Sequence, residues 1–299
     1  MTLMVEIVSI GKELLMGKIS NENARLIAKR ATTLGLSVNR IVTVTDDIDE
    51  ISNAVREVIQ RNPRFIITTG GLGSTFDDKT LEGIAKGTGR KLEFSDQALK
   101  KIEEKFRKRI KERKLGFSDQ YIERVKQTLA EHAHGKFSPY VLKLTTIPKG
   151  SHIFLNPAIM EGGLGVLMEL EGTTLIALPG VPQEVKAILE ELVVPLFRQA
   201  AGNLTFFEAT LEVEGMWEAT LAPLIDQVML ENPNVHIKSL FHPVGGSERF
   251  PHIELHLSTT NEDSNLAENW VKKALIQISK LIREKGGKIN PPKQNLDEY

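Results

Sequence analysis

The chain has 299 residues, 41% of them hydrophobic and 26% charged, an ordinary globular composition at a length that fits two domains. It has no cysteine, which excludes disulfides, thiolate catalysis and Cys-based zinc or iron–sulfur sites and fits a reducing, cytoplasmic compartment. A formal net charge of −1 gives no bulk attraction for nucleic acid, no apolar run approaches the ~18 residues of a membrane span, and no charged-then-apolar leader precedes the first strand.

Residues 4–10 are apolar and β-rich, and Gly11 ends the run. Residues 21–34 place Ala24, Ile27, Ala28, Ala31 and Leu34 at helical spacing, with Ser20 or Asn21 as cap and Gly35 as stop. Residues 38–44 read as a strand, 48–60 as a helix with Ile51, Val55, Val58 and Ile59 inward, and 65–69 as a third strand. Strands alternating with helices predict right-handed βαβ units and a mostly parallel, covered sheet, a three-layer α/β sandwich. Ligands of such sheets sit over the carboxyl ends of the strands. Further on, 95–114 reads as a charged helix, 118–132 as another, and Ile153, Val166 and Leu175 mark short strands. Pro179-Gly180-Val181-Pro182 turns into a helix over 183–198, with Gly180 free to take a positive φ and Glu184 suited to the first turn. Ala200 to Asn203 marks a boundary, so residues 1–203 form one domain and 204–299 a second. The second reads βαββα, a small α+β module with nine basic and fourteen acidic residues, ending in a frayed tail over the last dozen residues.

The segment richest in chemistry is residues 70–80, GGLGSTFDDKT. Gly70, Gly71 and Gly73 lie between a strand end and a helix start, where backbone can approach a ligand and a helix N-terminus can hold phosphate. Ser74, Thr75 and Thr80 add hydroxyls, and Asp77 and Asp78 suit a phosphate that arrives with a hard divalent cation. Residues 11–18 imitate a P-loop, but the spacing is one residue too long and Ile19 stands where Ser or Thr should follow the lysine. That loop would instead bring Lys12 and Glu13 near Gly70. Asp46 can face Asp78 across the crevice and share a magnesium ion or orient water, or else cap the helix that starts at Ile48; for Asp47 the cap is the favoured reading. Lys100 to Lys114 has nine basic and three acidic residues, best read as a solvated helix face. His252, Glu254 and His256 alternate along one strand face, as an exposed polar face would.

These residues resemble the N-terminal part of the CinA family, competence/damage-inducible proteins that share the MogA/MoaB-type molybdopterin-binding fold. The resemblance covers roughly residues 4–198. It rests on Ile10 to Gly17, Asn23, Asp46, Gly70 to Thr80, Pro148-Lys149-Gly150, Asn156 and Leu178 to Glu184. The second module resembles the small KH-like module of CinA proteins, and the amidase domain that follows it in full-length members is not expected here. Lys12 stands where the family usually has an aspartate and can neutralise a phosphate directly; the family's Gly-Thr-Ala-Pro-Gly after Asn156 is replaced.

The resemblance implies a metal-dependent hydrolase of the pyrophosphate of ADP-ribose-like nucleotides, and a homodimer. Gly70, Gly71 and Gly73 would hold the diphosphate, with Ser74, Thr75, Thr80, Lys12, Asn23, Asn156, Pro179 and Gly180 around it. Asp78 and Asp46 would be catalytic, and Asp78, Asp77 and Glu13 would hold the metal. An alternative is a binder of molybdopterin for molybdenum cofactor biosynthesis in the same crevice. A nucleic-acid-binding or scaffold protein ranks last, because the acidic second module lacks a Gly-x-x-Gly clamp.

Overall fold

The computed structural model describes residues 3–112, 127, 138–155, 164–242 and 252–290. Contacts divide the chain into two compact units, Met1–Ala31 with Leu36–Ala200, and Thr32–Gly35 with Ala201–Tyr299. Among the described residues no helix is long and apolar enough to cross a membrane.

The larger unit is built on a six-stranded sheet. Its strands are β1 (Met4–Ile10), β2 (Ser37–Val44), β3 (Phe65–Thr69), β6 (Ser151–Leu155), β7 (Leu164–Glu169) and β8 (Thr174–Leu178), in the order β2-β1-β3-β8-β7-β6. The first four in that order run parallel. Helices α2 (Glu22–Thr33), α3 (Ile48–Gln60) and α4 (Thr80–Thr88) provide the crossovers. Sheets covered on both faces need strands apolar on both faces. β3 and β8 meet this with every residue buried, and β1 has Val5, Ile7, Val8 and Ile10 inside. β7 runs antiparallel to both β8 and β6. The links on either side of β7 have eight residues at most, too few for a parallel crossover.

The expected 48–60 helix is α3, capped by Asp47, whose carboxylate accepts from the N–H groups of Asp49 (2.9 Å) and Glu50 (3.2 Å). α2 is capped by Asn21, whose Oδ1 accepts from Ala24 N–H at 3.2 Å. Three features escaped the sequence: the short helix α1 (Lys12–Leu15), the pair β4 (Leu92–Phe94) and β5 (Thr146–Pro148), and α6 (Pro139–Thr145), which follows α5 (Asp96–Glu112). The helix expected over 118–132 lies outside the described residues, Gln127 apart.

The expected 183–198 helix is two helices, α7 (Pro182–Ile188) and α8 (Val194–Ala201), joined by a π turn, Leu189–Val193. Pro195 has no N–H to return to the previous turn, and the helix widens just before it. Glu190 in the π turn takes both Nε and Nη2 of Arg30, at 2.7 and 2.6 Å.

The smaller unit is a four-stranded antiparallel sheet in the order β10-β11-β9-β12, from β9 (Thr205–Glu214), β10 (His236–His242), β11 (His252–Asn261) and β12 (Lys288–Asn290). Helices α9 (Glu218–Glu231) and α10 (Ser264–Glu284) share a core with its inner face. Of the expected frayed tail, residues 288–290 form β12, and residues 291–299 lie outside the described residues. Residues 288–290 pair with β9, Ile289 opposite Val213, because the open edge of β9 offers unpaired backbone groups. On β11, Ile253, Leu255 and Leu257 face the core. The alternating His256 sits between Glu208 (Nδ1 to Oε1, 3.1 Å) and Glu254 (Nε2 to Oε1, 3.0 Å).

Candidate functional site

The carboxyl ends of the parallel strands lie level, Ile10 opposite Val44, Ser9 opposite Thr69, and Thr69 opposite Leu178. The chain leaves the sheet there at Gly11, Asp46, Gly70 and Pro179. Two of these exits are stitched together. Gly70 N–H donates to the carbonyls of Leu178 (3.1 Å) and Pro179 (3.2 Å), and the Thr69 hydroxyl donates to Pro179 O at 2.8 Å. Asn23, reaching in from α2, donates through Nδ2 to Thr69 Oγ1 (3.0 Å) and Gly180 O (2.8 Å). The Gly180 carbonyl can only accept, and the Thr69 hydroxyl has given its proton to Pro179 O, so both contacts call for the Asn23 N–H groups. Gly180 does not take the positive φ its sequence position allowed; its carbonyl, held by Asn23, is the feature that matters.

Gly70 and Gly71 do take positive φ, +107° and +65°. A Cβ at Gly70 would collide with the Ile10 carbonyl oxygen and one at Gly71 with Thr80 Oγ1. Only glycine fits either position. Thr80, buried at the start of α4, donates its hydroxyl to Gly70 O at 2.8 Å and its N–H to Gly71 O at 3.2 Å. These bonds turn the segment sharply. Among the described residues, no acceptor takes the N–H groups of Gly71, Leu72, Gly73 or Ser74. Four successive N–H donors without an acceptor among the described residues, close to a helix start, could receive an anion.

The rest of the loop closes on Thr75. Asp78 Oδ2 accepts from Thr75 N–H (2.8 Å) and faces its hydroxyl (2.6 Å), which also faces Asp77 Oδ1. The single hydroxyl proton serves one carboxylate at a time. The Thr75 hydroxyl, together with Asp77's own N–H and the charges of Lys143 and Lys79, holds the Asp77 carboxyl below its usual range. Lys143, from α6, donates its ammonium to Thr75 O. Sequence reading passed over Lys143, which lies 68 residues from its partner in a segment without a motif. The available signal was Ser138-Pro139, an N-cap and first-turn pair announcing a helix; Ser138 Oγ does accept from Val141 N–H at 3.3 Å.

The other expected residues are placed as follows. Asp46 Oδ2 accepts from Lys12 N–H at 2.8 Å, closing the turn after β2 onto the start of α1, and the Lys12 side chain is exposed. Glu13 folds back over Gly11, where a Cβ would strike its carboxylate. Glu13, Asn21 and Asn23 line a small cavity of about 90 Å³ beside Gly70. On the other side of the loop a larger cavity, about 320 Å³, is walled by Leu72, Leu81, Leu92 and Leu142, with Asp78, Glu82 and Lys143 among its lining residues. Asn156 lies outside the described residues. Among the described residues, no three His, Asp or Glu side chains are grouped to hold a metal ion. The carboxylates brought together are Asp77 and Asp78.

The larger unit is thus a mostly parallel α/β sheet with a glycine-rich loop at its carboxyl edge. Residues 6–199 match the family described as "Probable molybdopterin binding domain". The chain belongs to this family. A protein of Metallosphaera sedula is 32% identical over 287 residues, covering 95% of this chain and 96% of its own. One of Sulfurisphaera tokodaii is 34% identical over 284 residues, covering 95% and 97%. The crystal structure of CinA from Thermoplasma acidophilum is similar with a TM-score of 0.51 at 30% identity, covering 64% of this chain and 98% of that one. The larger unit is thus a CinA-like domain of the MogA/MoaB fold.

Proposed function

We propose that the chain binds molybdopterin, or a close phosphorylated pterin, and serves molybdenum cofactor biosynthesis. The observation that carries this reading is the run of N–H groups from Gly71 to Ser74, offered to an anion at the carboxyl edge of the sheet in a domain of this family. The ligand's phosphate would lie on that backbone, and α4 would add its dipole. Lys143 and Lys79 would offset the charge that Asp77 and Asp78 bring near it.

The aspartate pair favours a second reading, hydrolysis of the pyrophosphate of an ADP-ribose-like nucleotide with a divalent metal. Magnesium is commonly held by one or two carboxylates together with substrate phosphate oxygens, and Asp77 and Asp78 suit that partial set. A bound metal would polarise a phosphoryl oxygen and lower the pKa of its water. Asp46 and Glu13 would enter such a site only by leaving the turns they now close.

A thermal-shift panel separates the readings, since a ligand of the native state stabilises by mass action. Molybdopterin, ADP-ribose and inorganic pyrophosphate are each tested with and without magnesium. The pterin reading expects molybdopterin to give the largest shift, and Asp78→Ala, which frees Thr75 N–H and loosens the loop, to reduce it at least tenfold in apparent affinity. Magnesium-dependent turnover of ADP-ribose that Asp78→Ala abolishes would instead establish the second reading. No shift with any of the three would sink both.

A further inference from the structure

We propose that the four-stranded sheet of the smaller unit carries a separate small-molecule site, which takes the purine ring of a free nucleoside between Phe206 and His236. This goes beyond the reading of the glycine loop and does not depend on it. A cavity of about 370 Å³ opens where β9 and β10 begin and β11 ends. Phe206, His236, Ser258, Thr260 and Asn234 are among its lining residues. Phe207, Ile237 and Leu257 belong to the core, so strand alternation turns Phe206, His236, Ser258 and Thr260 to the opposite face. β11 runs between β9 and β10, with Thr260 opposite Phe206 and Ser258 opposite His236. The two rings thus stand on either bank of a trough floored by small hydroxyl side chains. Two strand spacings across and two residues along put their backbones about 12 Å apart. Aromatic pairs hold their centroids about 4.5–7 Å apart, so one flat ring between the banks can contact both.

The polar groups on that lining decide which ring fits. Among the described residues, the hydroxyls of Ser258 and Thr260, the His236 ring and the Asn234 side-chain amide have no hydrogen-bond partner. An aromatic side chain from another protein would leave these groups unused. A purine base would use them. The Asn234 amide offers a donor and an acceptor side by side, the complement of the amino group and N7 of adenine. The hydroxyls can donate or accept as the base requires. The surroundings disfavour phosphate. Among the described residues no lysine or arginine lines the cavity, and Glu208 stands opposite Ser258. Residues 204–299 carry nine basic residues against fourteen acidic ones. A nucleoside without phosphate therefore fits, and a nucleic-acid strand, which brings a phosphate with every base, does not.

Titration of the full chain tests this with three probes: adenosine, ribose 5-phosphate and a short single-stranded oligoadenylate. Calorimetry gives the affinity, and NMR of the His236 ring protons gives the place, since a stacked purine moves them upfield. Adenosine is expected to shift His236 saturably, ribose 5-phosphate to leave it unmoved, and oligoadenylate to bind no more tightly per strand than adenosine. Phe206→Ala is expected to weaken adenosine at least fivefold by removing one stacking face. His236 is exposed, so His236→Ala tests the other bank without threatening the fold, and the same loss is expected. His236→Phe, which keeps a flat ring, is expected to stay within threefold of the parent. Adenosine that leaves His236 unmoved, an equal response to ribose 5-phosphate, or an indifferent His236→Ala overturns the inference. Oligoadenylate binding at least tenfold more tightly than adenosine would overturn the nucleoside assignment and make the trough a nucleic-acid surface.

Discussion

Gly70 shows how a single residue shapes the site. Its φ of +107° lets the chain leave β3 and turn across the end of β1 without a side chain striking Ile10 O. Gly70→Ala would combine a backbone penalty with a collision against main chain that cannot rotate away. Its expected cost is about 2–4 kcal/mol, read as a lower urea midpoint, with loss of pyrophosphate binding. A stability within 0.5 kcal/mol of the parent would mean that the loop relaxes at small cost. The aspartates divide on the same scale. Asp47 was legible as a cap because its partners lie two and three residues on. Asp46 was not, because its partner, Lys12 N–H, is 34 residues away. Thr75 likewise gathers Asp77, Asp78 and Lys143 around itself, and only the first two were within reach of a local reading.

Elements with a strong hydrophobic period were legible; those without one were not. α3 carries Ile51, Val55 and Val58 on its buried face and a capping aspartate at its start. Asp47→Ala is expected to cost about 1 kcal/mol by leaving the first-turn N–H groups without their acceptor, and Asp47→Ser to recover most of it. Chemical denaturation of the three proteins measures this. If Asp47→Ala is neutral, water replaces the cap fully. β4, β5 and β12 have three residues each, too short to show alternation, and they exist because a neighbouring strand edge accepts them. The helix before Ala201 looked continuous because apolar spacing survives a π turn; only the missing N–H of Pro195 hinted otherwise.

At the scale of the molecule, the two units have separate cores. Val8, Ile51, Ile66 and Leu175 belong to one, and Leu255, Val271, Ile278 and Ile282 to the other. Ile278 is fully buried, so Ile278→Ala is expected to cost about 2–5 kcal/mol in the smaller unit. Calorimetry should show the smaller unit's transition moving down while the larger unit's stays within a degree or two. A single transition that shifts as a whole would show that the units unfold together.

The amino-acid sequence by itself determined the alternation of strand and helix, the glycine loop at a strand's carboxyl end, the caps, and the family. Each of these rests on residues close in sequence, where spacing, turn chemistry and motif carry the information. Only the tertiary structure decided what each carboxylate faces. Asp46 holds Lys12 N–H, Asp78 holds Thr75, and Glu82 stands on a cavity wall beside a lysine from a distant helix. Hydrogen bonds and cavities act over a few ångströms, and folding brings residues dozens of positions apart within that range. A carboxylate's position in the chain therefore says that it can serve a site, while its neighbours in space determine which group it serves.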